Sequence, residues 1–186
     1  EPRRLAGSGD LHWRPEAGRY TLRLEGSVVG LNVLTQVSEG ALDAHGLAPS
    51  RFTDQRARRA AVAANFEREA GRIRFSGPST EVPWQPGVQD RLSWMIQLAG
   101  VLAAEPQHAG DGGAVTLPVV GARGDMSLWA FRFDGRDTLD TPAGPVGNVL
   151  EAELRVRAAI DRAILTAQKI YAGLGARMVS TIELPK

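Results

Sequence analysis

"PGVQDRLSWMIQLAGVLAAEP", residues 86–106, is the stretch on which the reading of the fold turns. Between Arg91 and Glu105 it carries no charge. Val88, Leu92, Met95, Ala99 and Leu102 step by four and three, which is one face of a helix, and Trp94, Leu98 and Val101 make a second apolar row. The polar remainder is a narrow seam of Gln89, Ser93 and Gln97. A bilayer span needs about 20 apolar residues, so residues 91–104, with Gln97 among them, are too short for one. A helix apolar on most sides is normally enclosed by protein. Residues 88–104 are therefore expected to form a central structural helix. Five or six of its large side chains, if fully buried, would each contribute roughly 1.5–3 kcal/mol.

Strand patterns flank this segment. Tyr20, Leu22 and Leu24 alternate against Arg19, Thr21, Arg23 and Glu25, a period of two. A second strand follows from Gly30, and the short separation predicts an antiparallel hairpin. Residues 59–67 and 72–76 read as another strand pair turning at Gly71, although their alanines would also suit a helix. Strands are expected again at 114–120 and 127–133. Val156, Ile160, Ala163, Ala167, Ile170 and Leu174 form a helical stripe, which predicts a second helix near 157–173, stopped by "GLG". Residues 176–184 read as a last strand. Residues 1–17, rich in Gly and Pro, are expected to be a flexible lead-in that packs down only at Trp13. The remainder, 18–186, is expected to be one β-rich domain.

The totals exclude several classes. The 186 residues are 43% hydrophobic and 23% charged, with a net charge of +1, which gives no global pull toward nucleic acid or anionic membrane. No cysteine is present, so there is no disulfide framework, thiolate nucleophile or cysteine-bound metal. The start "EPRRLAGSG" lacks methionine and is read as a trimmed terminus from which a targeting segment has been removed. Lys169 and Lys186 are the only lysines, so arginine carries nearly all the positive charge.

Chemistry is sparse. His12, His45 and His108 lie far apart in loop-like sequence without metal-ligand spacing, and no GxSxG elbow occurs. An enzyme would have to use His45 with Asp43 or Asp54, a hydrolase-like alternative. Asp134, Asp137 and Asp140 read as turn aspartates that bond their own backbone. "GDGG" at 110–113 and "GARGD" at 121–125 lack the lysine of a phosphate loop and read as hairpin turns. Asp90 and Arg91 open the apolar helix. They are either a polar mouth to a cavity or an acid favoured at a helix N-terminus.

Three blocks, "GLAPSRFTDQRARRAAVAANFEREAGRIRFSG", "PGVQDRLSWMIQLAGVLAA" and "LPVVGARGDMSLWAFRFDG…DTPAG", resemble the bacterial family catalogued as domain of unknown function 3108, over residues 19–148. The resemblance implies an exported envelope protein of α+β, mainly β class, with a curved antiparallel sheet, open-barrel-like, wrapping the 88–104 helix. It brings no catalytic residues. The tail beyond residue 148 departs from the family pattern.

The expectation drawn from all this is a non-catalytic periplasmic protein without a cofactor or metal. It would bind a lipid or other amphiphile, or an envelope protein, in a sheet–helix cavity lined by Leu92, Trp94, Met95, Leu98, Trp129 and Phe131. The alternative is a structural or interaction module that offers the C-terminal amphipathic helix to a partner.

Overall fold

The computed structural model of the chain describes residues 7–77, 80–110, 112–141, 144–158 and 164–172. In chain order its elements are β1 (Gly7–Glu16), β2 (Arg19–Val28), β3 (Leu31–Asp43), β4 (Gly46–Arg56), β5 (Val62–Glu67), β6 (Arg72–Phe75), β7 (Glu81–Pro83), β8 (Gln89–Asp90) and α1 (Trp94–Ala104). A 3-10 turn (Pro106–Ala109) leads to β9 (Ala114–Val120), β10 (Met126–Thr141), β11 (Gly144–Ala158) and β12 (Ile164–Ala172). Strands β1 to β7 form one antiparallel sheet in sequence order, a meander with two free edges. The second sheet has the order β12-β11-β10-β9-β8. The fold is mainly β with one α-helix among the described residues, and the large sheet does not close into a barrel. No helix among these residues is long and apolar enough to cross a membrane.

The contacts divide the chain into two compact units, Glu1–Gln97 with Val119–Met126, and Leu98–Pro118 with Ser127–Lys186. In the first unit the period-two pattern does what it predicts. Tyr20, Leu22, Phe52, Ala64, Phe66 and Ile73 project from β2, β4, β5 and β6 into one cluster, completed by Val88, Leu92, Val120 and Ala122. Tyr20 also stacks on Trp13, ring centroids 5.5 Å apart. The second unit buries Leu98, Val115, Leu117, Phe131, Phe133 and Leu154.

Several expectations change. The lead-in is a strand: β1 pairs with β2 from Gly7↔Val28 to Glu16↔Arg19, because a ten-residue ladder satisfies backbone groups that Gly and Pro content alone leaves to solvent. The helix expected at 88–104 starts only at Trp94, since Gln89 and Asp90 are extended and pair in parallel with Val119 and Val120. The helix expected near 157–173 is replaced by strands. Residue pairs from Leu150↔Ala172 to Arg157↔Ile164 join β11 to β12, so a long-range ladder overrides the helical spacing. With it goes the basis for an interaction helix. Asp134, Asp137 and Asp140 likewise sit along β10 instead of in a turn. "GDGG" leads from the 3-10 turn into β9, whereas "GARGD" does link the sheet neighbours β9 and β10. The strand expected at 176–184 lies outside the described residues.

The β3–β4 turn is clipped to α1. Gln97 Oε1 accepts from Leu47 N at 2.7 Å, and its Nε2 donates to His45 O at 3.0 Å. Gly46 lies between them at φ +101°, and a Cβ there would overlap the Gln97 amide, so no other residue fits. Replacing Gln97 by Ala strands a buried amide. The expected loss is about 1–3 kcal/mol of stability, read as a lower urea midpoint. An unchanged midpoint would show that the clip contributes nothing.

Candidate functional site

The polar seam of the opening stretch faces inward. Gln89, Asp90 and Ser93 have no exposed surface, and Gln97 is nearly as enclosed. Asp90 is the centre. Its Oδ1 accepts from Leu92 N at 2.8 Å and Ser93 N at 2.7 Å, which is how an N-cap carboxylate satisfies the free amides that open a helix. Ser93 Oγ accepts in return from Asp90 N at 2.9 Å, so the two residues cap each other. Ser38 Oγ on β3 donates to Asp90 Oδ2 at 2.5 Å, and Tyr20 OH on β2 lies 2.9 Å from Ser38 Oγ. With Ser38 donating to the carboxylate, the Tyr20 proton points at Ser38, and the relay runs Tyr20 to Ser38 to Asp90. Burial pushes the Asp90 carboxyl up to about 6, because the lost hydration outweighs the hydrogen bonds from Ser38, Ser93 and Leu92 that favour its charged form. The Tyr20 phenol is pushed far up, by burial first and by Asp90 second. Gln89 Nε2 donates to Leu47 O at 2.9 Å, so both seam amides hold the start of β4.

A second cluster draws on all three sequence blocks that carry the family resemblance. Arg91 pairs with Asp125 of "GARGD". Arg123, from the same turn, reaches Asp54 Oδ2 at 2.5 Å, and Arg56 Nε lies 3.2 Å from that oxygen. Asp54 is 2% exposed, a buried carboxylate flanked by two guanidinium groups. Gly121 N donates to Asp125 O at 2.9 Å and closes the turn that presents both side chains.

Asp90 is thus a buried cap, and Arg91 is an exposed cross-link to the "GARGD" turn. Leu92 is wholly enclosed in the first unit's core, with Met95 partly buried against it. Trp94 is buried in the same unit. Leu98, Trp129 and Phe131 belong to the second unit, where the rings of Trp129 and Phe131 are 6.4 Å apart. Asp43 Oδ1 accepts from the backbone N of His45 at 2.8 Å, a turn-forming bond. Asp54 lies nine residues along an extended strand from His45, roughly 30 Å away. A His45–Asp54 pair is therefore ruled out by geometry. A groove of about 300 Å³ lies instead on β1 and β2, lined by His12, Arg14, Thr21, Arg23 and Glu25. The Arg23 guanidinium bonds Glu25 at 2.6 Å and holds that carboxyl below its ordinary range. No cluster of three or more His, Asp or Glu side chains suited to a metal occurs among the described residues. Ser38, Tyr20, Arg123 and Asp125 were not singled out from sequence. For Tyr20 and Ser38 the inward-facing parity of their strands was the available signal.

Asp90 yields a pH dependence. The folded state keeps its proton to higher pH than the unfolded chain, so it binds more protons between about pH 4 and 6. The contribution of Asp90 is complete below that window and is lost as pH rises through it, on the order of 3 kcal/mol. Asp90→Asn stays neutral throughout. Its urea midpoint relative to the parent chain should rise from pH 4 to pH 7. A constant difference between the two would overturn the assignment.

No curated protein and no solved structure matches the chain. A family model described as Protein of unknown function (DUF3108) matches residues 4–166. That match starts before β1 and takes in all of β11, so it extends past both ends of the 19–148 resemblance and includes much of the tail expected to depart. With "QDRLSW" and "GARGD" both inside it and joined by Arg91 and Asp125, the chain belongs to the DUF3108 family of proteins of unknown function.

Proposed function

We propose that the chain is a non-catalytic protein of the bacterial envelope, exported to the periplasm, that works by binding an amphiphile or an envelope protein. The observation that supports this is the fate of its buried reactive groups. Asp90, Tyr20 and Ser38 bond one another and the start of α1, and Asp54 is held between two arginines. A general acid or base has to reach substrate. These groups are enclosed and committed to holding chain segments together. Leu92 and Phe131 are also wholly enclosed, so binding falls to partly exposed side chains, Met95 and Trp129 among them. The exported setting that the sequence resemblance implies supports the compartment.

The test is to express the complete natural gene, fractionate cells by osmotic shock and take the purified protein into native mass spectrometry with lipid extraction. The expected result is recovery in the periplasmic fraction with a co-purifying amphiphile or protein. Recovery in the cytoplasmic fraction alone, or a bare protein whose melting temperature no lipid or envelope extract shifts, would overturn the proposal.

A further inference from the structure

We infer that the end of the first sheet carrying the β2–β3 and β4–β5 turns docks on an anionic lipid bilayer, with Val29 and Leu31 entering the interface and Arg58 and Arg59 meeting phosphate headgroups.

The β2–β3 connection is a two-residue turn with Val29 at φ +50° and Gly30 at φ +74°, both in the left-handed region. This is the turn that Asn-Gly or Asp-Gly ordinarily fills. A β-branched residue is strained there, and Val29 gains no burial in exchange, being 72% exposed. Leu31, just past the turn, is 71% exposed. Neither local preference nor packing within the fold accounts for two large apolar side chains at a hairpin tip. Strain and exposure combined at one site point outward, to something that the tip meets.

The neighbouring turn supplies the charge. Ala57 N donates to Val33 O at 2.7 Å, which places the β4–β5 connection beside the base of the hairpin, roughly 10 Å from its tip. Arg58 and Arg59 in that connection are exposed and have no carboxylate partner among the described residues. The connections at this end of the sheet contain no Asp or Glu among those residues. Glu81, at the start of β7, is paired with Arg72 at 3.5 Å. At the opposite end Asp43, Glu67 and Glu69 accompany the arginines, so the charge is mixed there. Apolar side chains beside unpaired arginines are the arrangement that binds an interface holding anionic lipid. Nucleic acid would recruit the arginines but would leave the apolar tip in water, and the connections at this end hold no aromatic side chain among the described residues.

This inference rests on the binding reading above and names its surface. The test is sedimentation of the full chain with vesicles of phosphatidylglycerol and phosphatidylethanolamine, against vesicles of phosphatidylcholine. The chain should pellet with the anionic vesicles and release as salt rises. Val29→Asn should raise the urea midpoint by relieving the turn, and should weaken vesicle binding about tenfold. Leu31→Asn should weaken binding similarly, and Arg58→Ser with Arg59→Ser should remove the preference for anionic lipid. Binding by Val29→Asn equal to that of the parent would overturn the inference, as would equal binding to neutral vesicles. So would retention on a single-stranded oligonucleotide that survives Val29→Asn. Failure to pellet at all, with an amphiphile still co-purifying, would sink the docking end and leave the binding reading standing.

Discussion

Asp90 holds the first unit together in a way that hydrophobic burial cannot. Apolar contact is non-directional, so Leu92, Trp94, Met95 and Ile96 alone could slide or rotate against the first unit's core at little cost. One fully enclosed carboxylate prevents that. It accepts from two backbone amides of its own segment and from Ser38 of the sheet, so the segment and β3 share a fixed register. Gln89 and Gln97, four residues before and after Ser93, repeat the device on the β3–β4 turn. Only Gln97 of these lies within α1; Gln89 in β8 and Ser93 just before the helix reach the same polar seam from outside the helical repeat. Satisfied polar networks of this kind specify one arrangement among many that would bury similar apolar area.

The charged groups follow the same logic at the next radius. Asp54 is buried, and its two guanidinium partners come from β4 itself and from the distant "GARGD" turn. A lysine would offer one compact charge there. Arginine offers several N–H groups in one plane, and the Nε of Arg56 alone is shared between both Asp54 oxygens, at 3.3 and 3.2 Å. The arginine bias of the composition, whatever its origin, is used structurally where Arg91 ties to Asp125 and Arg123 to Asp54.

Strands whose inner faces alternate were legible, since Tyr20, Leu22 and Leu24, or Ile73 and Phe75, announce a period of two in a few residues. So was the seam, though not its use. The partners of Gln97 are main-chain atoms of His45 and Leu47, and main-chain atoms leave no mark in a sequence. For the same reason the start of α1 was misplaced, because the parallel pairing of Gln89 and Asp90 with Val119 and Val120 depends on residues thirty positions away. The tail shows the converse. Its stripe from Val156 to Leu174 is genuine as spacing, yet "EAELRVR" also alternates, and the pairing of β11 with β10 and β12 decides between them. Short-range pattern sets what a segment can be, and the ladder it joins sets what it is.

Consistency across levels separates the inside of this protein from its rim. In the core, parity, capping and glycine placement agree, as at Gly46, where the backbone angle and the Gln97 contact both demand glycine. At the β2–β3 tip they disagree, since turn geometry asks for Asn or Asp and the chain supplies valine in open solvent. The β1–β2 turn has the same two left-handed residues, but it fills them with Ala17 and Gly18, a smaller departure that exposes no large apolar group. Folded sequences break local rules mainly where something other than folding is served. The contrast between two turns of one geometry, in one sheet, therefore supports the apolar tip as the docking end proposed for this unit, rather than the buried residues around Asp90.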